Sequence, residues 1–182
     1  EGGFPRMLIV RALESTDARV TAGKPVTPAF LFAALLWEPL RRAEAGYIEA
    51  GEPDPRAIEL AADDVLREQS RTVAFPRRFA LVTRDIWAMQ PRLDQTSGRR
   101  PARLVEQPRF RAGYDFLVLR ATAGEDVRSL ADWWTAYQEA DPGERERMVK
   151  PAAPGRARRR PRRRRARRPQ GAAEGSDAVP AA

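Results

Sequence analysis

The sequence predicts an all-α fold: a helical body followed by a disordered, arginine-rich C-terminal tail. Three observations lead there. Apolar residues recur at helical spacing in segment after segment, and no stretch of strand periodicity exceeds a few residues. Several segments open on a capping residue followed by Pro, a helix-start signal. From Pro151 onward there is no apolar side chain large enough to build a core, and Arg-rich repulsion with interspersed Pro opposes compaction.

Taken in order, Phe4 to Val20 reads as a helix, with Met7, Leu8, Val10, Arg11 and Leu13 in roughly helical alternation. Thr21-Ala-Gly-Lys-Pro ends it. Thr27 is suited to cap the next helix, and Pro28 sits where its missing N–H costs nothing. Phe30, Ala33, Ala34 and Trp37 form one face, with Leu31 and Leu35 beside it; a helix apolar nearly all round belongs in the centre of a core. Its continuation, Glu38 to Ala50, is more polar, and Pro39 is placed to kink it. Gly51-Glu-Pro-Asp-Pro is a linker in which Asp54 and Pro55 repeat the cap pattern. Ile58, Ala61, Ala62, Val65 and Leu66 then make an i, i+3, i+4, i+7 stripe.

The helix after Pro76 has two faces. At 100° per residue, Phe79, Val82, Ile86, Met89 and Leu93 share an arc of roughly 80°. Arg77, Arg78, Arg84 and Arg92 occupy a neighbouring arc of about 120°. Pro91 should bend the last turn. After the Gln95-Thr-Ser-Gly turn, a short helix over Pro101 to Glu106 delivers Arg99, Arg100 and Arg103. Pro108 opens another helix, with Phe110, Tyr114, Leu117 and Ala121 on its buried side. Asp126 caps a final helix in which Leu130, Trp133, Trp134 and Tyr137 pack, and Asp141-Pro-Gly breaks it. The organisation expected is a helical part over 1–74, a basic helical region over 75–150 and the tail over 151–182.

Charge narrows the function. The net charge of +8 is uneven. Residues 1–70 hold 8 basic and 12 acidic groups, 71–120 hold 11 and 4, and 121–150 hold 4 and 7, so the first 150 residues are neutral overall. The tail carries ten Arg against Glu174 and Asp177. The middle segment is therefore basic in its own right, and it uses Arg rather than Lys, the better bidentate partner for phosphate. Contact with a phosphate backbone is the reading for Arg77, Arg78, Arg84, Arg92, Arg99, Arg100, Arg103, Arg109 and Arg111. The competing one is a solvated face with local ion pairs such as Arg111 with Asp115. The tail, including Arg158, Arg159, Arg160, Arg162, Arg163, Arg164 and Arg165, fits RNA, DNA or an anionic membrane surface. Trp87 has two readings, stacking on an unpaired base or packing against a neighbouring helix, and packing is favoured.

Catalytic constellations are missing. With no Cys and no His there is neither a thiolate site nor the commonest general base. The adjacent carboxylates Asp63-Asp64 and Glu125-Asp126 are accounted for by solvation and capping, and there is no Gly-rich phosphate loop or D-x-D pair. No catalytic and no metal residue is assigned. The longest apolar run, Pro28 to Trp37, is about half of the ~20 residues a bilayer span needs. A chain that starts at Glu1 is expected to be a fragment or a processed product.

TPAFLFAALLW (27–37), TRDIWAMQPRL (83–93), GRRPARLVEQPRFRAGYDFLVLRA (98–121) and DWW (132–134), with the arginine-rich terminus, resemble the C-terminal half of bacterial poly(A) polymerase. That family is related to the CCA-adding tRNA nucleotidyltransferases, and the resemblance runs over residues 4 to 168. It implies a cytoplasmic enzyme that adds AMP from ATP to RNA 3′ ends with two Mg²⁺ ions, the carboxylates lying in an N-terminal head absent from this sequence. Single-stranded RNA 3′ ends, and RNA-degradation or RNA-chaperone proteins, are the partners it implies. This chain by itself is expected to be inactive and to hold RNA through the arginines named above. Two other readings stay open: part of a CCA-adding enzyme, although those usually lack a long polyarginine tail, and a free-standing module for RNA or anionic surfaces.

Overall fold

Helix α1 (Gly3–Thr21) buries Leu8 and Ala12 and leaves Met7, Val10 and Leu13 exposed. It ends at Gly23, whose φ of 65° is the left-handed conformation glycine adopts without a Cβ penalty. This computed structural model describes residues 3–72 and 76–150; Phe75, at the start of the basic region, and the tail arginines Arg158 to Arg165 lie outside the described residues. Among the described residues the secondary structure is entirely helical, with nine helices and no strand.

The apolar run forms α2 (Pro28–Leu35), which buries Ala29, Ala33 and Ala34 and packs on α1 and α5. Pro28 takes the first helical position as expected, but the Thr27 side chain makes no capping bond. Its extended backbone (φ −105°, ψ 116°) alone sets the helix start, the Thr27 carbonyl accepting from Phe30 N at 3.0 Å. Pro39 acts upstream of itself. It has no N–H for the carbonyl of Leu35, four residues earlier, and its ring crowds that carbonyl. The helix accordingly breaks at Leu36 (φ −99°, ψ 8°) and resumes as α3 (Trp37–Glu49).

Helix α4 (Asp54–Thr72) lies against α3. Asp54 is its first residue and not the cap; the Pro53 carbonyl accepts from Arg56 and Ala57. The predicted stripe Ile58, Ala61, Ala62, Val65 and Leu66 is buried throughout. Asp64 accepts a hydrogen bond from Tyr47 of α3 and one from Arg67 at 2.8 Å, while Asp63 pairs with Arg84 of α5 at 3.2 Å. The adjacent carboxylates thus tie three helices together.

Helices α5 (Arg77–Leu93) and α7 (Phe110–Thr122) form the spine. They approach so closely at Gly113 that a Cβ there would lie 2.3 Å from Met89 Cγ. Three α5 groups bond out of the helix: Thr83 Oγ1 to Ala29 O at 3.0 Å, Trp87 Nε1 to Ala33 O at 3.1 Å, and Gln90 Nε2 to Gly113 O at 3.1 Å. Trp87 is 0% exposed, so it packs and cannot stack on a base. The buried arc of α5 is wider than its apolar residues indicate, because Thr83 and Gln90 are buried with these bonds satisfied.

The core has two clusters along this spine. One gathers α1 to α4 around Trp37, Trp87 and Phe116. The other joins α6 (Arg100–Val105) and α8 (Arg128–Glu139) to the spine around Leu93, Phe110, Leu117, Trp134 and Tyr137. Trp134 Nε1 donates to Leu93 O at 2.9 Å, satisfying a carbonyl in the last turn of α5. Fully burying each of these large side chains contributes about 1.5–3 kcal/mol. Helix α8 starts at Arg128 after Val127, so Asp126 is not its cap. Asp141 starts a ninth helix, α9 (Pro142–Met148), with its side chain accepting from Glu144 N at 2.9 Å. The sequence at 141–143 therefore opens a helix as well as closing one.

Candidate nucleic-acid interface

The nine body arginines singled out by charge differ in their partners. Ion pairing divides them. Arg84 pairs with Asp63, Arg109 with Asp85 and Arg111 with Asp115, at 3.2, 3.2 and 3.0 Å. Arg92 donates to the Gln107 side chain at 3.0 Å, and the Arg78 guanidinium lies 4.8 Å from the centre of the Phe79 ring. Arg77, Arg99, Arg100 and Arg103 are exposed and have no carboxylate partner among the described residues. The distinction matters because a guanidinium without a carboxylate meets a phosphate without first losing a partner.

Three of those four arginines sit together on or beside α6. The helix is short and held from below by Pro101 and Leu104, both buried, so Arg99, Arg100 and Arg103 stay exposed. Gly98, with φ 68°, turns the chain into the helix, and its N–H donates to Val149 O at 3.0 Å. Beside this patch, Arg145 donates to the Tyr137 and Gln138 carbonyls at 2.9 and 2.8 Å and caps the end of α8. The sequence signal for that role is an Arg shortly after a helix end; Arg145 stands among acidic residues, which hid it.

A second feature joins parts of the chain that are far apart in sequence. A groove of about 1050 Å³ runs between α1, α5 and α7. Its floor includes Phe30, Val82, Ile86, Val118 and Leu119, and its rim carries Arg11, Arg19, Arg109, Arg111 and Arg128. Only Arg109 and Arg111 belong to the basic segment. Arg11 and Arg19 come from an N-terminal part with an acidic excess, and Arg128 from a second one, so no local count of charge could single them out.

One further arginine of the segment has a purely structural place. Arg120 is buried. Its guanidinium donates to both Glu125 carboxylate oxygens at 2.6 and 2.7 Å and to Gln90 Oε1 at 2.9 Å, and lies 4.6 Å from the centre of the Trp37 ring. Nearby, buried Glu44 pairs with Arg41, yet desolvation outweighs that partner and pushes its carboxyl above the ordinary range. The Arg excess of the segment is thus partly internal wiring.

The described residues contain no group of three Asp, Glu, His or Cys side chains that could hold a metal ion, and no helix long and apolar enough to cross a membrane. The described residues thus do not fit a two-metal centre.

Residues 50–169 match the family model described as polymerase A arginine-rich C-terminus. The chain is 40% identical over 168 residues to poly(A) polymerase I of Salmonella typhimurium and 39% identical over 168 residues to that of Escherichia coli O157:H7, each covering 88% of this chain and 36% of the relative. It is 42% identical over 151 residues to poly(A) polymerase I of Haemophilus influenzae, covering 82% of this chain and 33% of the relative. The chain therefore spans about a third of the length of the curated relatives it matches. The matched stretch includes α4 to α9 and most of the arginine tail, and on that extent the chain belongs to the polymerase A arginine-rich C-terminus family.

Proposed function

We propose that this chain is the RNA-holding portion of a poly(A) polymerase, an enzyme that adds AMP from ATP to RNA 3′ ends. The observation that carries the reading is that Arg77, Arg99, Arg100 and Arg103 of the basic segment are exposed and have no carboxylate partner among the described residues, although residues 1–150 are neutral overall. Such charges attract a polyanion because nothing on the protein neutralises them. The similarity to poly(A) polymerase I supports RNA as that polyanion. The tail arginines, Arg158 to Arg160 and Arg162 to Arg165, add a second, sequence-independent hold on phosphate. Mg²⁺ and ATP belong to the catalysis of the whole polymerase. A cytoplasmic location, and RNA-degradation or RNA-chaperone proteins as partners, follow from the same proposal.

The test uses the chain as it stands. Purified protein is titrated with single-stranded RNA at several salt concentrations, then incubated with RNA, ATP and Mg²⁺. Expected are binding that weakens linearly in log salt and no lengthening of the RNA. Robust adenylation by this chain, or binding indifferent to salt, contradicts the proposal.

A further inference from the structure

We infer that the groove between α1, α5 and α7 is a seat for an unpaired stretch of RNA, with phosphates on Arg19 and Arg128 and a base against the apolar floor. This deepens the proposed function and rests on it. Three observations converge.

The first is charge. Residues 1–150 are neutral overall, but the groove lining holds five arginines and only two carboxylates, Glu14 and Asp115. Asp85, outside the lining, pairs with Arg109 at 3.2 Å, so the excess positive charge is that of Arg19 and Arg128, and it is local to a concave surface, where field lines concentrate.

The second is how the rim arginines are held. Arg19 donates through Nε and Nη2 to the Pro25 carbonyl at 3.3 and 3.0 Å, and Arg128 donates through Nη2 to the Ala121 carbonyl at 3.4 Å. A neutral carbonyl orients a guanidinium without cancelling its charge. Both arginines are exposed and lack a carboxylate partner among the described residues. Each keeps free N–H groups for a phosphate. Arg11 and Arg111 are paired with Glu14 and Asp115 at 2.9 and 3.0 Å, but these are exposed pairs one helical turn apart. Pairs of that kind are weak and exchange readily for a phosphate.

The third is shape. The groove is about 1050 Å³, room for a few nucleotides in extended form. Half-buried Phe30, Val82 and Val118 offer apolar surface, and Phe30 is held by an edge contact with Phe116, ring centres 5.8 Å apart. A base freed from pairing gains by leaving water for such a surface, whereas a duplex has no free base face to place there.

The experiment measures the affinity of the full chain for a short single-stranded oligoadenylate across a salt series. It compares the unaltered protein, the double variant Arg19→Gln plus Arg128→Gln, and the double variant Arg19→Lys plus Arg128→Lys. The same oligoadenylate annealed to its complement serves as the duplex probe. Two lost phosphate contacts make the salt slope shallower by about 1.4 for a single strand. The Gln variant is expected to show that change, with an affinity lowered roughly tenfold at ~0.1 M salt and duplex binding little altered. The Lys variant should fall between, because it keeps the charge and loses the fork. Both rim residues are exposed, so thermal melting of the variants should match that of the parent. If the parent binds the oligoadenylate and the Gln variant binds with the same affinity and slope, the groove is not an RNA seat and this inference is overturned, including in the case where the groove docks a protein. If the parent itself does not bind RNA, it is the proposed function that fails.

Discussion

Gly113 shows how tightly one residue is specified here. Met89 of α5 occupies the space a side chain would need, with its Cγ and Cβ only 2.3 and 2.7 Å from the position of an added Cβ. Because the Met89 Cβ moves only with its backbone, the helices themselves must part. Gly113→Ala should therefore destabilise the fold. Overpacking costs about 1–3 kcal/mol, and the better helix propensity of Ala offsets about 1; with backbone-fixed Met89 Cβ in the way the cost lies toward the upper end, leaving a net loss of up to about 2 kcal/mol in denaturant melts. Arginines separate just as sharply. Arg120→Ala strips Glu125 and Gln90 of their partner and uncovers Trp37, and should cost about 2–3 kcal/mol. That is below the ~3–5 of a fully buried pair, because Glu125 keeps some water. Arg111→Ala should cost about 0.5 kcal/mol or less, since its pair with Asp115 is exposed. Equal losses at the two positions in the same melts would contradict this division between internal wiring and exposed face.

At the scale of elements, the tie between α3 and α4 is sensitive to acid. Tyr47 donates to Asp64, and that hydrogen bond is the main reason the Asp64 carboxyl titrates below its ordinary value. A depressed folded value means the stabilisation is complete above the ordinary carboxylate range and disappears as pH falls through the depressed value. Tyr47→Phe should thus lower stability at neutral pH, and the gap between variant and parent should close in acid. A gap that widens on acidification would reverse the assignment.

Most elements were legible because their signals are local. Apolar spacing located the buried stripe of α4, and Thr27-Pro28 located the start of α2 even though the Thr27 hydroxyl does no capping. Helix α9 was hidden because Asp141-Pro-Gly carries both a stop for α8 and a cap for the next helix, and the stop was the more familiar pattern. The sequence favours packing for Trp87, but the apolar arc of α5 omits it and cannot name its partner; its indole N–H finds a carbonyl of α2, 54 residues away. The ion pairs of Arg84 and Arg109 span 21 and 24 residues and leave no periodic trace. Groove arginines 11, 19 and 128 are brought together by the packing of α1 and α8 against α7, which no local window contains.

For the whole molecule, RNA holding is proposed to fall to two basic regions. The tail holds ten arginines and little else that is charged, so it should bind any polyanion within its reach, with a salt slope of up to about −7 on single-stranded RNA. The body is neutral overall and is proposed to bind where exposed arginines lack a carboxylate or hold only a weak exposed pair. Glu1–Pro151 forms one compact unit with its own core, so the two contributions are separable. The most direct test of whether the body holds RNA is equilibrium binding of single-stranded RNA to a chain lacking residues 151–182, across a salt series. The account predicts binding that is weaker and less steep in salt than that of the full chain, but still present, and lowered further by replacing Arg77, Arg99, Arg100 and Arg103 with Gln. Complete loss of RNA binding with the tail would contradict it and reduce the basic face of the body to a solvated surface.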